Sequence, residues 1–241
     1  MSAEPITRVL IVVPARDEAA TLGACIDSIA SARAALAERL PAVETRLVVV
    51  ADACIDDSAG IARAAGADVI EIDAASVGAA RRAGIEHGLT DWRAAGGLER
   101  SWVAMTDADS TVPRSWLLDH LRAARGGADL HVGRVEPEAS QLSATALAAW
   151  HDAHDALAPG VAVHGANLGV RADALDRVGG IAPLPLHEDA DLVARLTAAG
   201  AVVDDQRRPP VRTSARTRSR VEGGFASYLS TLQGQSSPPA D

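Results

Sequence analysis

Several acidic side chains stand where they could do chemistry rather than only keep the chain soluble. Asp107-Ala108-Asp109 follows the apolar run Trp102 to Thr106 and places two carboxylates on one side of the chain if the backbone stays extended. Two converging carboxylates beside a phosphate call for a hard divalent cation, and Mg²⁺ or Mn²⁺ accepts such oxygen ligands while keeping waters. Asp52 directly follows a second apolar run, Val48-Val49-Val50-Ala51, and Pro14-Ala15-Arg16-Asp17-Glu18 closes a third. Backbone amides and carboxylates at such a helix opening can meet a ligand. Each feature also has a plainer reading. Asp17 and Glu18 suit a helix N-terminus through its dipole, Asp57 and Ser58 are ordinary caps, and Glu188-Asp189 after Pro185 suits another helix start. His151, Asp152, His154 and Asp155 fit the polar face of an exposed helix better than a metal cluster.

The elements that must position these acids follow from periodicity. Short β-branched runs alternate with Ala-rich stretches of helical spacing, the pattern of parallel strands joined by crossover helices. Strands are expected at Arg8 to Val13, Leu47 to Ala51, Asp68 to Ile72, Trp102 to Thr106 and Leu130 to Val135. Helices are expected at Ala20 to Glu38, Asp57 to Ala65, Val77 to His87 and Ser115 to Arg125. Right-handed crossovers then give an open sheet with its ligand site at the carboxyl ends of the strands, where the acids stand. After Val135 the rhythm changes to a long helix from Ser140 to Leu157, a Gly-rich turn at Pro159 to Gly169, and a short helix at Ala172 to Val178. A helix from Glu188 to Ala199 and a last strand at Ala201 to Val203 follow. The expected division is one half over 1–135, a second half of the same domain over 136–234, and a disordered tail over 235–241.

Composition limits the classes of function. The 241 residues are 48% apolar and 23% charged, enough for a sizeable core. A formal net charge of -9 argues against a nucleic-acid binder. Every basic residue is arginine, which removes a lysine Schiff base and a Walker A lysine. Cys25 and Cys54 are too few for a disulfide framework and read as small core residues. No apolar run nears the roughly 18 residues that cross a bilayer, and Met1 to Pro5 lacks signal-peptide character, so a cytoplasmic protein without a transmembrane segment is expected. The aromatics are Trp92, Trp102, Trp116, Trp150, Phe225 and Tyr228, too sparse for an extended sugar-stacking platform. Six arginines fall between Arg207 and Arg220 with no acid among them. That segment reads as a loop folding over a diphosphate, with a cradle for an anionic acceptor or peripheral contact with a membrane surface as alternatives.

Order joins the motifs. Pro14-Ala15-Arg16-Asp17-Glu18, Val48 to Asp52, Gly78-Ala79-Ala80-Arg81-Arg82-Ala83-Gly84, and Asp107-Ala108-Asp109 with Pro113 and Trp116 resemble the successive motifs of family 2 glycosyltransferases. Gly165-Ala166-Asn167-Leu168-Gly169-Val170-Arg171 is similar to that family's acceptor-side turn, and His187-Glu188-Asp189 to its Glu-Asp motif. The resemblance implies a GT-A fold, an α/β architecture with a Rossmann-like, mixed but mostly parallel sheet flanked by helices. It implies an inverting hexosyltransferase acting on a nucleoside diphosphate sugar, a UDP-sugar first, and a hydroxyl acceptor, read as small from the sparse aromatics. Pro14, Ala15, Arg16, Glu18 and Asp52 would hold the nucleoside, and Arg81 would reach toward ribose or diphosphate. Asp107 would contact ribose or a metal water, and Asp109 would ligate Mg²⁺ or Mn²⁺. Asp189 would be the catalytic base with Glu188 orienting it, and His164, Gly165, Ala166, Asn167 and His187 would border the sugar and acceptor. A non-catalytic nucleotide-sugar-binding or scaffolding module of the same fold is the alternative. A nicotinamide enzyme is a poor rival, because Gly-x-Gly-x-x-Gly is missing after the first strand. The oligomeric state stays open.

Overall fold

The computed structural model describes residues 4–155, 163–206 and 208–216. Its centre is a seven-stranded sheet in the order β3-β2-β1-β4-β8-β6-β9. The first four are β1 (Arg8–Ala15), β2 (Glu44–Asp52), β3 (Asp68–Ile72) and β4 (Ser101–Met105). They pair in parallel, with Val12 opposite Val48 and Met105. Between them run α1 (Leu22–Arg39), α2 (Ser58–Ala64) and α3 (Val77–Ala94), and α4 (Trp116–Arg125) follows β4. β1, β2 and β4 are apolar over most of their length because both of their faces are covered, whereas the edge strand β3 is only half-buried and carries exposed Asp68 and Glu71. Val9, Ile11 and Val13 of β1 join Leu22, Ile29 and Leu117 in one core, while Leu10 and Val12 join Ile85, Leu89 and Met105 in the other. Burying each such side chain contributes about 1.5–3 kcal/mol.

Several expectations need correction: the long helix starts at Ala144 and not at Ser140, and the strand expected last over Ala201 to Val203 lies at Val203–Asp204 with a further strand, Val211–Thr213, after it. The helix expected to stop at His87 runs on to Ala94. Gly88 is a packing position there, because a Cβ on it would overlap the Leu10 side chain, and its absence lets α3 close on the sheet. The strand expected over Leu130 to Val135 is two strands, β6 (Leu130–Val132) and β7 (Val135–Pro137), which belong to different sheets. The chain turns between them at Gly133, whose N–H donates to the Asn167 carbonyl at 2.9 Å. The Gly-rich turn, where it is described, leads into a strand, β8 (Leu168–Arg171), which lies antiparallel between β4 and β6.

The remaining elements are short. A second sheet of three strands has the order β5-β10-β7, with β5 (Ser110–Thr111) and β10 (Val211–Thr213). α5 (Ala144–Asp155), α6 (Ala172–Arg177), α7 (Glu188–Ala198) and β9 (Val203–Asp204) complete the architecture. Among the described residues, no helix is long and apolar enough to cross a membrane. Arg207, Arg218, Arg220, the end of the expected long helix at Leu157 and the expected tail over 235–241 lie outside the described residues. Beneath α4, the His120 ring accepts from the Trp102 indole at 3.3 Å and meets the His131 ring edge-on, while His131 pairs with Asp204 at 2.7 Å. Burial, the largest influence, pushes both imidazoles below their usual value, with Asp204 opposing it at His131.

Candidate active site

The carboxyl ends of β1, β2 and β4 meet the turn before β8 and the start of α7 around one cavity of about 470 Å³. Local bonds shape the first two strand ends. Asp17 and Ala53 take left-handed backbone angles, φ 52° and 51°, which turn both chains sharply after their strands. Asp17 Oδ1 accepts from Ile55 N at 2.7 Å, Asp56 Oδ2 accepts from Ala19 N at 2.9 Å, and the Cys54 thiol donates to Ala15 O at 3.3 Å. Among the described residues, Asp17, Cys54 and Asp56 bring three potential metal ligands within 4.8 Å of one another. Their hydrogen bonds latch one loop to the other. Asp52 is 3% exposed, and its oxygens accept from Ala74 N and Ala75 N at 2.8 Å and Ser76 N at 2.7 Å. It therefore organises the turn into α3 as well as lining the cavity.

Arg81 ties the two sides of the cavity together. Its guanidinium forms ion pairs with Asp107 after β4 and with Glu188 at the start of α7, and its side chain is only 4% exposed. Burial works against its charge, but Asp107, Glu188 and Asp189 outweigh that and keep the guanidinium protonated. A Cβ on Gly165 would overlap this guanidinium, so the residue opposite Arg81 must be glycine. Burial also raises the Glu188 carboxyl, against the opposing charge of Arg81. Asp189 stands one residue further into α7. Its Oδ2 accepts from Gly165 N at 2.7 Å and its Oδ1 from Ala190 N at 2.8 Å, which fixes a partly exposed carboxylate at the cavity wall. His187 before it has φ 60° and is exposed, turning the chain into the helix.

Asp109 lies across the cavity from this cluster's α7 side. Burial raises its carboxyl to about 6, with help from the Asp107 charge and against Arg216. Thr213 Oγ1 donates to its Oδ1 at 3.3 Å, and Arg216 pairs with its Oδ2 at 3.1 Å and with Glu18 at 2.7 Å. Glu18 and Asp109 are already bridged by one guanidinium, so this place accepts a positive charge, and hard carboxylate oxygens suit Mg²⁺ or Mn²⁺; with Asp107 held by Arg81, the three acids do not gather ligand atoms within 4.8 Å of one another.

Nearly all of the residues singled out in the sequence line this cavity: Pro14, Ala15, Arg16, Glu18, Asp52, Arg81, Asp107, Asp109, His164, Gly165, Ala166, His187, Glu188 and Asp189. Asn167 is the correction. It is 2% exposed and does not line the cavity; its Oδ1 accepts from the Trp116 indole at 2.9 Å and its Nδ2 donates to Arg134 O at 2.8 Å. An amide with both ends satisfied in this way braces the turn instead of meeting a ligand. Thr213, Ser214 and Arg216 line the cavity without having been singled out one by one. The acid-free run of arginines pointed to the region, but no local pattern selected Arg216 within it.

The fold is that of the GT-A glycosyltransferases. Residues 10–149 match the family model of glycosyl transferase family 2, and the chain belongs to that family. The chain is similar to the crystal structure of S. aureus TarS 1–349, with TM-score 0.61 and 13% identity over 93% of this chain and 69% of that one. Against the S. aureus TarS structure the TM-score is 0.62 and the identity 11%, covering 95% of this chain and 42% of that one. A mannosyltransferase, PcManGT from Pyrobaculum calidifontis in complex with GDP-Man and Mn²⁺, gives 0.58 and 16%, covering 97% of this chain and 65% of that one. No curated protein matches the sequence.

Proposed function

We propose that the chain is an inverting glycosyltransferase that moves a hexose from a nucleoside diphosphate sugar to a hydroxyl of a small acceptor. One observation carries this reading: Asp52, Asp109 and Asp189, from widely separated stretches of sequence, open into the same cavity. Its volume of about 470 Å³ falls within the roughly 300–1,000 Å³ usual for small-molecule sites. Pro14, Ala15, Arg16, Glu18 and Asp52 form the nucleoside end. A carboxylate accepts but cannot donate, so Asp52 suits the imide N–H of uracil and a UDP-sugar is the first candidate. The TarS 1–349 structure with UDP and the PcManGT structure with GDP-Man and Mn²⁺ support a donor of this class and a divalent cation.

Asp109, with Asp107 and Glu18, would hold Mg²⁺ or Mn²⁺, which when bound offsets the negative charge that builds on the leaving diphosphate. Asp189 takes the proton of the acceptor hydroxyl as that oxygen attacks the anomeric carbon. The bond from sugar to diphosphate breaks as the new one forms, and a single displacement of this kind inverts the anomeric configuration. The two amides on Asp189 hold its carboxylate in place, so little orientation is lost when the acceptor arrives. Glu188, anchored by Arg81, fixes the position of Asp189, while His164, Gly165, Ala166 and His187 border the sugar and acceptor.

An Asp189→Asn variant should lose at least ~100-fold in turnover, the scale for removal of a general base. Its donor-induced rise in melting temperature, read across UDP, GDP and TDP with Mn²⁺, should match that of the unaltered protein. Undiminished turnover removes Asp189 from the mechanism. Nucleotide binding without transfer to any hydroxyl would favour a binding module.

A further inference from the structure

Arg216 is placed with more care than a solvated arginine needs. Thr213, the last residue of β10, donates from its hydroxyl to Asp109 Oδ1 and shares a 2.8 Å hydroxyl bond with Ser110. Ser214 N then donates to Asp109 O at 3.0 Å, and Ala215 N to Gln141 Oε1 at 2.8 Å. The segment is thereby fixed along the Asp109 loop before Arg216 is reached. One guanidinium fork then spans acids from two different strand ends, with Nη1 on Glu18 Oε1 at 2.7 Å and Nη2 on Asp109 Oδ2 at 3.1 Å. The two carboxylates are 8% and 10% exposed, whereas the Arg216 side chain is 36% exposed, so the cation has a way out and the acids do not.

We propose that the Arg216 guanidinium and a divalent cation are alternative partners of the Glu18–Asp109 pair, and that Arg216 is handed over to the donor's diphosphate when metal and donor enter together. This rests on the metal and donor reading given above. A fork that uses the carboxylate oxygens leaves fewer of them for a metal, and two cations on the same acids repel. A diphosphate relieves both conflicts: it supplies oxygens to the metal and a new anionic partner to the guanidinium. Metal and nucleotide must then help each other to bind, and the help is reciprocal. Arg216 is in this sense a positioning residue that makes metal loading conditional on the donor.

The test is Mn²⁺ binding followed by the electron paramagnetic resonance of the free ion, with and without UDP. The unaltered chain, Arg216→Gln, Arg216→Ala and Asp109→Asn are compared, each shown by thermal melting to be folded. Without UDP, both Arg216 variants should bind Mn²⁺ about ten-fold more tightly than the unaltered chain, the factor expected for freeing a carboxylate pair from one partly exposed guanidinium. With UDP the advantage should shrink or reverse. If the Arg216 variants bind Mn²⁺ as the unaltered chain does while Asp109→Asn abolishes binding, the exchange is overturned and the metal site stands. If Asp109→Asn leaves Mn²⁺ binding intact, or no protein binds Mn²⁺ in either condition, the metal reading fails and the exchange falls with it.

Discussion

Arg81 joins Asp107 to Glu188 through a side chain that is 4% exposed, whereas Arg216 joins Glu18 to Asp109 through one that is 36% exposed. Both are forks across two acids at the rim of the same cavity, yet the physics of the two differs. A buried charge cannot exchange partners without leaving its acids stranded in a poorly solvated place, which makes the Arg81 cluster a fixed part of the framework. Water and incoming anions can reach Arg216, so the energy that holds it is small and its partners are exchangeable. The cavity thus combines one permanent arrangement of charge with one that a ligand can rewrite.

The sharpest way to break this comparison is to truncate the buried fork. Arg81→Ala should cost about 3–5 kcal/mol in urea unfolding, because Glu188 and Asp107 are left without their counter-ion. Arg81→Lys should recover only part of it, since an ammonium lacks the fork that meets both acids. A loss below that of an ordinary surface change would show that the Arg81 cluster is not structural.

Another buried network, whose His120 and His131 do not line the cavity, provides a contrast in which the imidazoles are held neutral. Burial lowers the folded-state values of His120 and His131, so the unfolded chain takes up protons first as pH falls. The two histidines leave stability unchanged above the unfolded histidine value of about 6.5 and lower it below, by at most about 1.4 kcal/mol per pH unit each, while Asp109, raised to about 6, is protonated first in the folded chain and offsets part of that decline. Urea midpoints between pH 7.5 and 5.5 check this, and His120→Gln should flatten the decline. An equal slope in that variant would remove His120 from the account. The exposed fork comes last: Arg216→Ala should cost about 1–2 kcal/mol in unfolding stability, less than Arg81→Ala because water reaches a side chain that is 36% exposed, but not nothing because Glu18 and Asp109 are 8% and 10% exposed. A cost as large as that of Arg81→Ala would erase the distinction between the two arginines.

The first half of the fold was legible because β1, β2 and β4 are buried on both faces and leave continuous apolar runs, while the half-buried edge strand at Asp68–Ile72 shows in its β-branched residues instead. The acids after those runs could be marked as site candidates because an open α/β sheet presents its strand ends to a ligand. The rest depended on contacts that local pattern does not carry. β8 is four residues long and contains Gly169, which has no room for a Cβ beside His120 and Trp102, so its sequence reads as a turn. β5 and β10 have two and three residues, too few to display a period. Asn167 has the residue type of a ligand contact, and only its bonds to Trp116 and Arg134 reveal it as a brace. Arg216 meets Glu18 across 198 residues of chain, a pairing that folding alone creates.

The placement of β8 has a consequence for anyone who would divide the molecule. Its two neighbours, β4 and β6, both precede Val135, while β8 itself starts at Leu168. A fragment cut after Val135 would lose β9 as well as β8, leaving β4 as a raw sheet edge and β6 with no strand on either side. Such raw edges recruit strands from other chains, so the fragment would clump instead of serving as a nucleotide receptor on its own.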